Sequence, residues 1–141
     1  DNSLLSTFSR VAKNLDMEHV MVVHGEDGLD EISITRPTNV SEYKDFKINE
    51  YAICPEDFGI ASAPFEDIAA QSSEESLRMV QEAFAGEKSA VQDMIALNSG
   101  AALYIARKVD SISEGVELSF DLMNNGKAAD KLAAYVRVSN I

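Results

Sequence analysis

With 141 residues, 45% of them hydrophobic, the chain can close one core of ordinary size, and its single cysteine, Cys54, excludes an intramolecular disulfide and the small secreted scaffolds that depend on one. Twelve basic against 24 acidic residues give a formal charge of -12, which repels nucleic acid and anionic membrane over most of the surface. The lone cysteine makes a reduced, cytoplasmic setting the expectation, and a soluble chain is expected because no apolar run approaches the ~20 residues of a membrane span and the first residues lack a basic-then-apolar leader.

In chain order, residues 3–14 carry Leu4, Leu5, Phe8, Val11 and Ala12, with Leu15 just beyond, at helical spacing. That predicts an amphipathic helix, capped by Ser3 and packed on the strand that follows. Asn14 and Asp16 break the period, and His19, Val20, Met21, Val22 and Val23 form the kind of continuous run that suits a strand covered on both faces. Gly25 and Gly28 then open a loop carrying two adjacent acids, Asp30 and Glu31. Ligands of open α/β sheets gather where such strands end, which makes this pair the candidate site.

Ile32 and Ile34 alternate with Ser33 and Thr35 in a strand-like way until Arg36-Pro37 ends any strand there. Alternation resumes over residues 38–44, Asp45-Phe46 makes a turn, and residues 47–53 return, giving an antiparallel hairpin beside the first strand. The first strand looks buried and the hairpin half polar, so a mixed sheet is expected. Residues 55–59 read as a loop, and residues 61–71 carry no assignable pattern.

Ser72 with Glu75 is a capping box opening a helix that carries Leu77, Val80 and Phe84 and stops at Gly86. Residues 89–108 form the longest helix, with Val91, Met94, Ile95, Asn98, Ala101, Ala102 and Ile105 as its packing face. Ser111 with Glu114 opens a further helix through Val116, Leu118, Phe120, Leu122 and Met123. Asn125 caps the last one, from Lys127 to about Val138, with Ala129, Leu132, Ala133 and Val136 inward. The fold class that follows is α/β, a single domain over residues 1–141 with a mixed sheet, flanking helices and an almost wholly helical second half.

Chemistry concentrates in the loop. Side-by-side carboxylates repel unless solvated or sharing a cation. Mg²⁺ suits the pair because it takes hard oxygens, keeps several waters and bridges one or two carboxylates to substrate phosphates, which would also let so acidic a chain hold an anionic substrate. A solvated acidic turn is the alternative. His24 could be a base, a ligand or a phosphate donor, but it has no second His or Cys at ligand spacing, and a strand-end histidine with satisfied hydrogen bonds is the simpler reading. The spacing of Gly25 and Gly28 lacks the helix start and Lys-Ser or Lys-Thr of a phosphate loop. Cys54 reads as a packed thiol, and residues 127–131 as the exposed side of the last helix.

Residues 22–33, Val-Val-His-Gly-Glu-Asp-Gly-Leu-Asp-Glu-Ile-Ser, resemble the signature loop of the anthranilate phosphoribosyltransferase family. The resemblance extends, in order, through residues 55–59 (Pro-Glu-Asp-Phe-Gly), Leu97-Asn98 with residues 101–104, and Gly126-Lys127-Ala128. It implies part of a nucleoside phosphorylase/phosphoribosyltransferase-like large domain, the C-terminal portion of a longer enzyme. The implied reaction moves phosphoribosyl from phosphoribosyl pyrophosphate to anthranilate in tryptophan biosynthesis, giving N-(5-phosphoribosyl)anthranilate and pyrophosphate. Asp30 and Glu31 match the family's Mg²⁺-binding acids; no catalytic acid or base is identifiable.

Two departures touch local loops. Ala69-Ala70-Gln71-Ser72 stands where the family usually has Gly-Gly-Asp, and Asp45-Phe46 replaces an Asp-Gly turn. The family's glycine-rich pyrophosphate loop, Lys-containing segment and small N-terminal helical domain would lie before Asp1, which would make residues 20–23 a central strand lacking a neighbour. The expected cover for that surface is a second copy, a complementary fragment or a rearranged N-terminal helix. The alternative function is a non-catalytic C-terminal fragment or association domain, inactive without the missing part.

Overall fold

The computed structural model describes residues 1–139. A short 3-10 turn at Asn2–Leu4 leads into α1 (Leu5–Asn14), and the cap is Asp1 rather than Ser3: an Asp1 carboxylate oxygen accepts from the Ser3 amide at 3.0 Å. α1 turns Leu5, Ser9 and Ala12 to the sheet, while Leu4, Phe8, Val11 and Leu15, expected to pack on the strand, lie exposed. The reason is close approach. The Ser9 hydroxyl donates to the Ser41 carbonyl at 2.9 Å, and at that separation positions 9 and 12 take small side chains, leaving Leu5 at the start of the helix as the one large side chain on this face.

Three strands follow, β1 (His19–Gly25), β2 (Thr38–Lys44) and β3 (Lys47–Ile53), in the order β1-β2-β3. Both pairings are antiparallel, with Val23 opposite Val40 and Val40 opposite Tyr51; no parallel pairing occurs among the described residues. β1 therefore lies at an edge, and Val20 through Val23 are half-buried where the sequence predicts full cover on both faces. The β2–β3 turn is the two-residue type that follows the sheet twist, with Asp45 and Phe46 both left-handed at φ 49° and 65°.

The alternation of Ile32 and Ile34 with Ser33 and Thr35 yields no strand. Ile32, Ser33 and Ile34 are buried in an irregular segment, because its backbone groups are taken up by other partners: Thr38 Oγ1 accepts from the Ser33 amide and the Ile34 carbonyl accepts from the Ala63 amide. The Pro55–Phe58 stretch, expected as plain loop, is a 3-10 turn closed by Gly59 at φ 72°, and Phe65–Asp67 is another.

The second half is helical as expected: α2 (Ser73–Phe84), α3 (Ala90–Ile105), α4 (Ile112–Asn124) and α5 (Lys127–Ser139). Ser72 accepts from the Glu75 amide at 3.1 Å, Ser111 from the Glu114 amide at 3.2 Å, and Asn125 from the Lys127 amide at 3.2 Å. The packing faces of α3 and α5 differ from the expected ones. α3 buries Gln92, Ala96, Leu97, Gly100 and Ala101, with Ala102 exposed, because it is covered by the sheet on one side and α4 on another. α5 buries nothing fully: Ala129, Ala133 and Val136 are exposed and Leu132 half-buried, and of its residues Ala128 packs against the core.

The core lies between the α3–α4 layer and the sheet face carrying Val40 and Ile53, plugged from the loop by Ile32 and Ile34. α3 and α4 meet backbone to backbone at Gly100 and Gly115, where a Cβ on Gly100 would sit 2.6 Å from the Val116 nitrogen. Among the described residues no helix is long and apolar enough to cross a membrane.

Candidate functional site

The loop after β1 is a braced turn. The Gly25 amide donates to the Leu29 carbonyl at 3.0 Å, the Gly28 amide to the Gly25 carbonyl at 2.9 Å, and the Glu26 amide to the Pro37 carbonyl at 2.9 Å. Gly28 has φ 94°, a left-handed conformation that favours glycine.

At the centre of the turn is Asp27, part of the 22–33 run but given no role by the sequence alone. One carboxylate oxygen accepts from the Leu29 amide at 3.1 Å; the other accepts from the Ser33 hydroxyl at 2.5 Å and from the Thr35 hydroxyl. Burial opposes its ionisation, but the Ser33 and Thr35 hydroxyls and the Leu29 amide together hold its carboxyl below the ordinary range. Asp27 is thus an ionised anchor. Its bond to the amide two residues on is an Asx turn, a local signal available in the sequence between the two glycines.

Beyond the turn the chain is held from α3. Asn98 Oδ1 accepts from the Ile32 amide at 2.9 Å and its Nδ2 donates to the Ile32 carbonyl at 2.8 Å. Between these anchors Asp30 and Glu31 are exposed, and neither makes a hydrogen bond or ion pair with the described residues.

That placement is a test of Mg²⁺ against the donors present. No group of three or more His, Cys, Asp or Glu side chains is placed to hold a metal among the described residues, which argues against a closed, dehydrated site. A magnesium ion that keeps most of its waters needs only one or two unpaired carboxylates and a phosphate, and Asp30 with Glu31 fits that demand. His24 does not join them. Strand alternation puts it on the sheet face toward α1, opposite the face toward α3, and its ring makes no hydrogen bond with the described residues; the strand-end histidine held by a side-chain hydrogen bond is His19, through Nε2 alone, its buried Nδ1 having no partner among the described residues.

His19 belongs to a second polar cluster at the other end of β1, roughly 20 Å along the strand. Glu42 Oε1 accepts from His19 Nε2 at 2.7 Å and from the Tyr104 hydroxyl at 2.9 Å, and its Oε2 from the Tyr51 hydroxyl at 2.9 Å. Lys44 Nζ donates to the Tyr104 hydroxyl at 3.0 Å. The cluster ties β1, β2, β3 and α3 together and lies away from the loop. Cys54 is half-buried, and burial with the nearby carboxylates of Asp57, Glu56 and Glu26 pushes its thiol up, the opposite of an activated nucleophile.

Residues 1–129 match the family model described as Glycosyl transferase family, a/b domain, and the chain belongs to that family. Within it the similarity runs to anthranilate phosphoribosyltransferases, as the motifs in residues 22–33 and 55–59 suggest. The enzyme of Halorhodospira halophila is 43% identical over 128 residues, 91% of this chain and 37% of the relative. That of Acetivibrio thermocellus is 40% identical over 138 residues, 98% of this chain and 40% of the relative.

Among solved structures, the Thermus thermophilus enzyme gives a TM-score of 0.87 at 31% identity over 97% of this chain and 40% of its own. The Saccharomyces cerevisiae enzyme, in complex with PRPP and Mg, shares the fold at a TM-score of 0.87 and 19% identity, over 100% of this chain and 41% of its own. The chain spans about two fifths of the length of these relatives.

Proposed function

We propose that the chain works as the C-terminal part of the α/β domain of an anthranilate phosphoribosyltransferase, moving phosphoribosyl from phosphoribosyl pyrophosphate to the amine of anthranilate in tryptophan biosynthesis. The observation that supports this most directly is the loop after β1, in which Asp27 and Asn98 hold the backbone on both sides while Asp30 and Glu31 stay unpaired. Asp30 and Glu31 would hold Mg²⁺, which when bound offsets the charge that builds on the departing pyrophosphate.

The part played by this chain is positional. The acids are presented at the end of β1, and the turn that carries them is closed by hydrogen bonds internal to the chain, which hold the pair in place for the substrate. The chain spans about two fifths of its relatives, and we assign the remaining pyrophosphate and acceptor contacts to the rest of the polypeptide.

A fluorescence assay of phosphoribosyl anthranilate formation tests the reading. This chain produced alone gives no product, and the full-length transferase that includes it is active and Mg²⁺-dependent. In that full-length protein Asp30→Asn with Glu31→Gln lowers turnover roughly 10²- to 10³-fold with folding retained. Unchanged turnover and magnesium response in the double variant would make the pair a solvated turn and defeat the proposal.

A further inference from the structure

Asn98 is an anomaly in α3. Side-chain amides are indifferent to poor residues in a helix interior, because they compete with the backbone for hydrogen bonds, and they usually face water. This one turns toward the loop and is satisfied on both atoms: Oδ1 accepts from the Ile32 amide at 2.9 Å, and Nδ2 donates to the Ile32 carbonyl at 2.8 Å and to the Met94 carbonyl at 3.0 Å. Opposed bonds to the N–H and C=O of a single residue are what a neighbouring strand supplies to a hydrogen-bonded pair. Here one side chain supplies them to a segment that has no strand neighbour.

The consequence is geometric. Burial of the Ile32 side chain fixes where that residue sits, but a buried side chain alone leaves the adjoining peptide planes free to rotate. The amide clamp removes that rotation, and Glu31 is the residue immediately before it. On the other side Asp27 accepts from the Leu29 amide at 3.1 Å, so Asp30 and Glu31 span the short gap between two fixed points. Glu31 and Asn98 also border one open pocket of about 290 Å³, together with Ile68, Met94 and Ile95.

We infer that Asn98 is the positioning residue for the carboxylate pair, setting the backbone orientation from which Glu31 reaches a metal. The inference rests on the reading of Asp30 and Glu31 as Mg²⁺ ligands. Mg²⁺ tolerates little departure from octahedral geometry, so a ligand pair that wanders binds it poorly even with both charges intact. Residues that orient metal ligands without touching the metal commonly account for 10- to 100-fold in affinity.

The test uses the full-length transferase that includes this chain, with Mn²⁺ binding followed by electron paramagnetic resonance in the presence of phosphoribosyl pyrophosphate and without anthranilate, and with thermal unfolding measured in parallel. Asn98→Ala raises the Mn²⁺ Kd by about 10- to 100-fold. The control is Gln92→Ala on the same helix: its Nε2 donates to the Ala83 carbonyl at 3.2 Å and to Asn124 Oδ1 at 3.4 Å, away from the loop, so its loss lowers Tm and leaves Kd unchanged. Should the alanine variant not fold, Asn98→Asp keeps the acceptor for the Ile32 amide, removes the donor to the Ile32 carbonyl and gives the same loss of affinity. If the Asn98 variants shift Kd no more than Gln92→Ala while Asp30→Asn with Glu31→Gln abolishes binding, the positioning role is overturned and the metal reading stands. If the double variant binds Mn²⁺ as the parent does, both fall.

Discussion

Glu42 shows how a buried carboxylate in this chain stays ionised. Burial opposes the charge, but the His19 imidazole and the Tyr51 and Tyr104 hydroxyls outweigh it and hold the carboxyl below its ordinary value of 4.5. Its partner Tyr51 is pushed well above the usual phenol range by burial and by that same charge. In the unfolded chain Glu42 titrates normally, so around its ordinary value the unfolded state binds more protons than the folded one. The stabilisation is complete above that range and is lost as pH falls through the depressed folded value. Urea unfolding followed from pH 7 downward should show stability declining below about pH 5, with a shallower decline in Glu42→Gln. Asp27 is shifted in the same direction, so the slope is reduced and not abolished. An unaltered slope in the variant would place the acid sensitivity elsewhere. Asp30 and Glu31 stand out at this scale because adjacent acids in a glycine loop are a sequence pattern, and the structure places both exposed. Asn98 stood out as part of a packing face and of the Leu97-Asn98 resemblance, but its contact did not, since its partner lies 66 residues away and nothing local marks it.

Elements were legible where their signals are local. The capping boxes at Ser72 and Ser111 start helices where expected, because the cap and the amide it satisfies lie three residues apart. Helical faces were less legible. In α1 the period is correct, yet the sheet takes the side with Ser9 and Ala12, because close approach to β2 selects small side chains over large ones. Leu4, Phe8, Val11 and Leu15 are left as an apolar stripe, 46–69% exposed, on the same molecule as the open edge of β1. Unpaired strand edges and apolar stripes both promote association. Sedimentation of this chain at micromolar concentration should show self-association that weakens in Phe8→Ser with Leu15→Ser, with stability changed by no more than about 0.5 kcal/mol per site. A parent chain that stays monomeric across the range would show that the stripe and the edge are inert.

At the scale of the whole molecule, the α/β class and the division into a strand half and a helical half follow from the patterns, while the edge position of β1 does not. Side-chain pattern reports what covers the faces of a strand; an edge is a matter of backbone groups, which every residue carries alike. The apolar run from Val20 to Val23 accordingly speaks of the faces of β1, where Met21 and Val23 pack against the core, and is silent about pairing. Equally invisible is how closely the layers approach, although Gly100 and Gly115 decide it. A Cβ on Gly100 would lie 2.6 Å from the Val116 nitrogen and 2.9 Å from the Gly115 carbonyl carbon, and one on Gly115 would lie 2.8 Å from the Gly100 Cα. Gly100→Ala or Gly115→Ala should therefore destabilise by about 3 kcal/mol or more, measured by urea unfolding. The obstruction in each case includes main chain, which no substitution can shorten. In a library randomised at both positions and selected for folded protein, the two sites would return glycine together and independently of every neighbour, so the crossing would look like a fixed point around which the remaining sequence is free to drift.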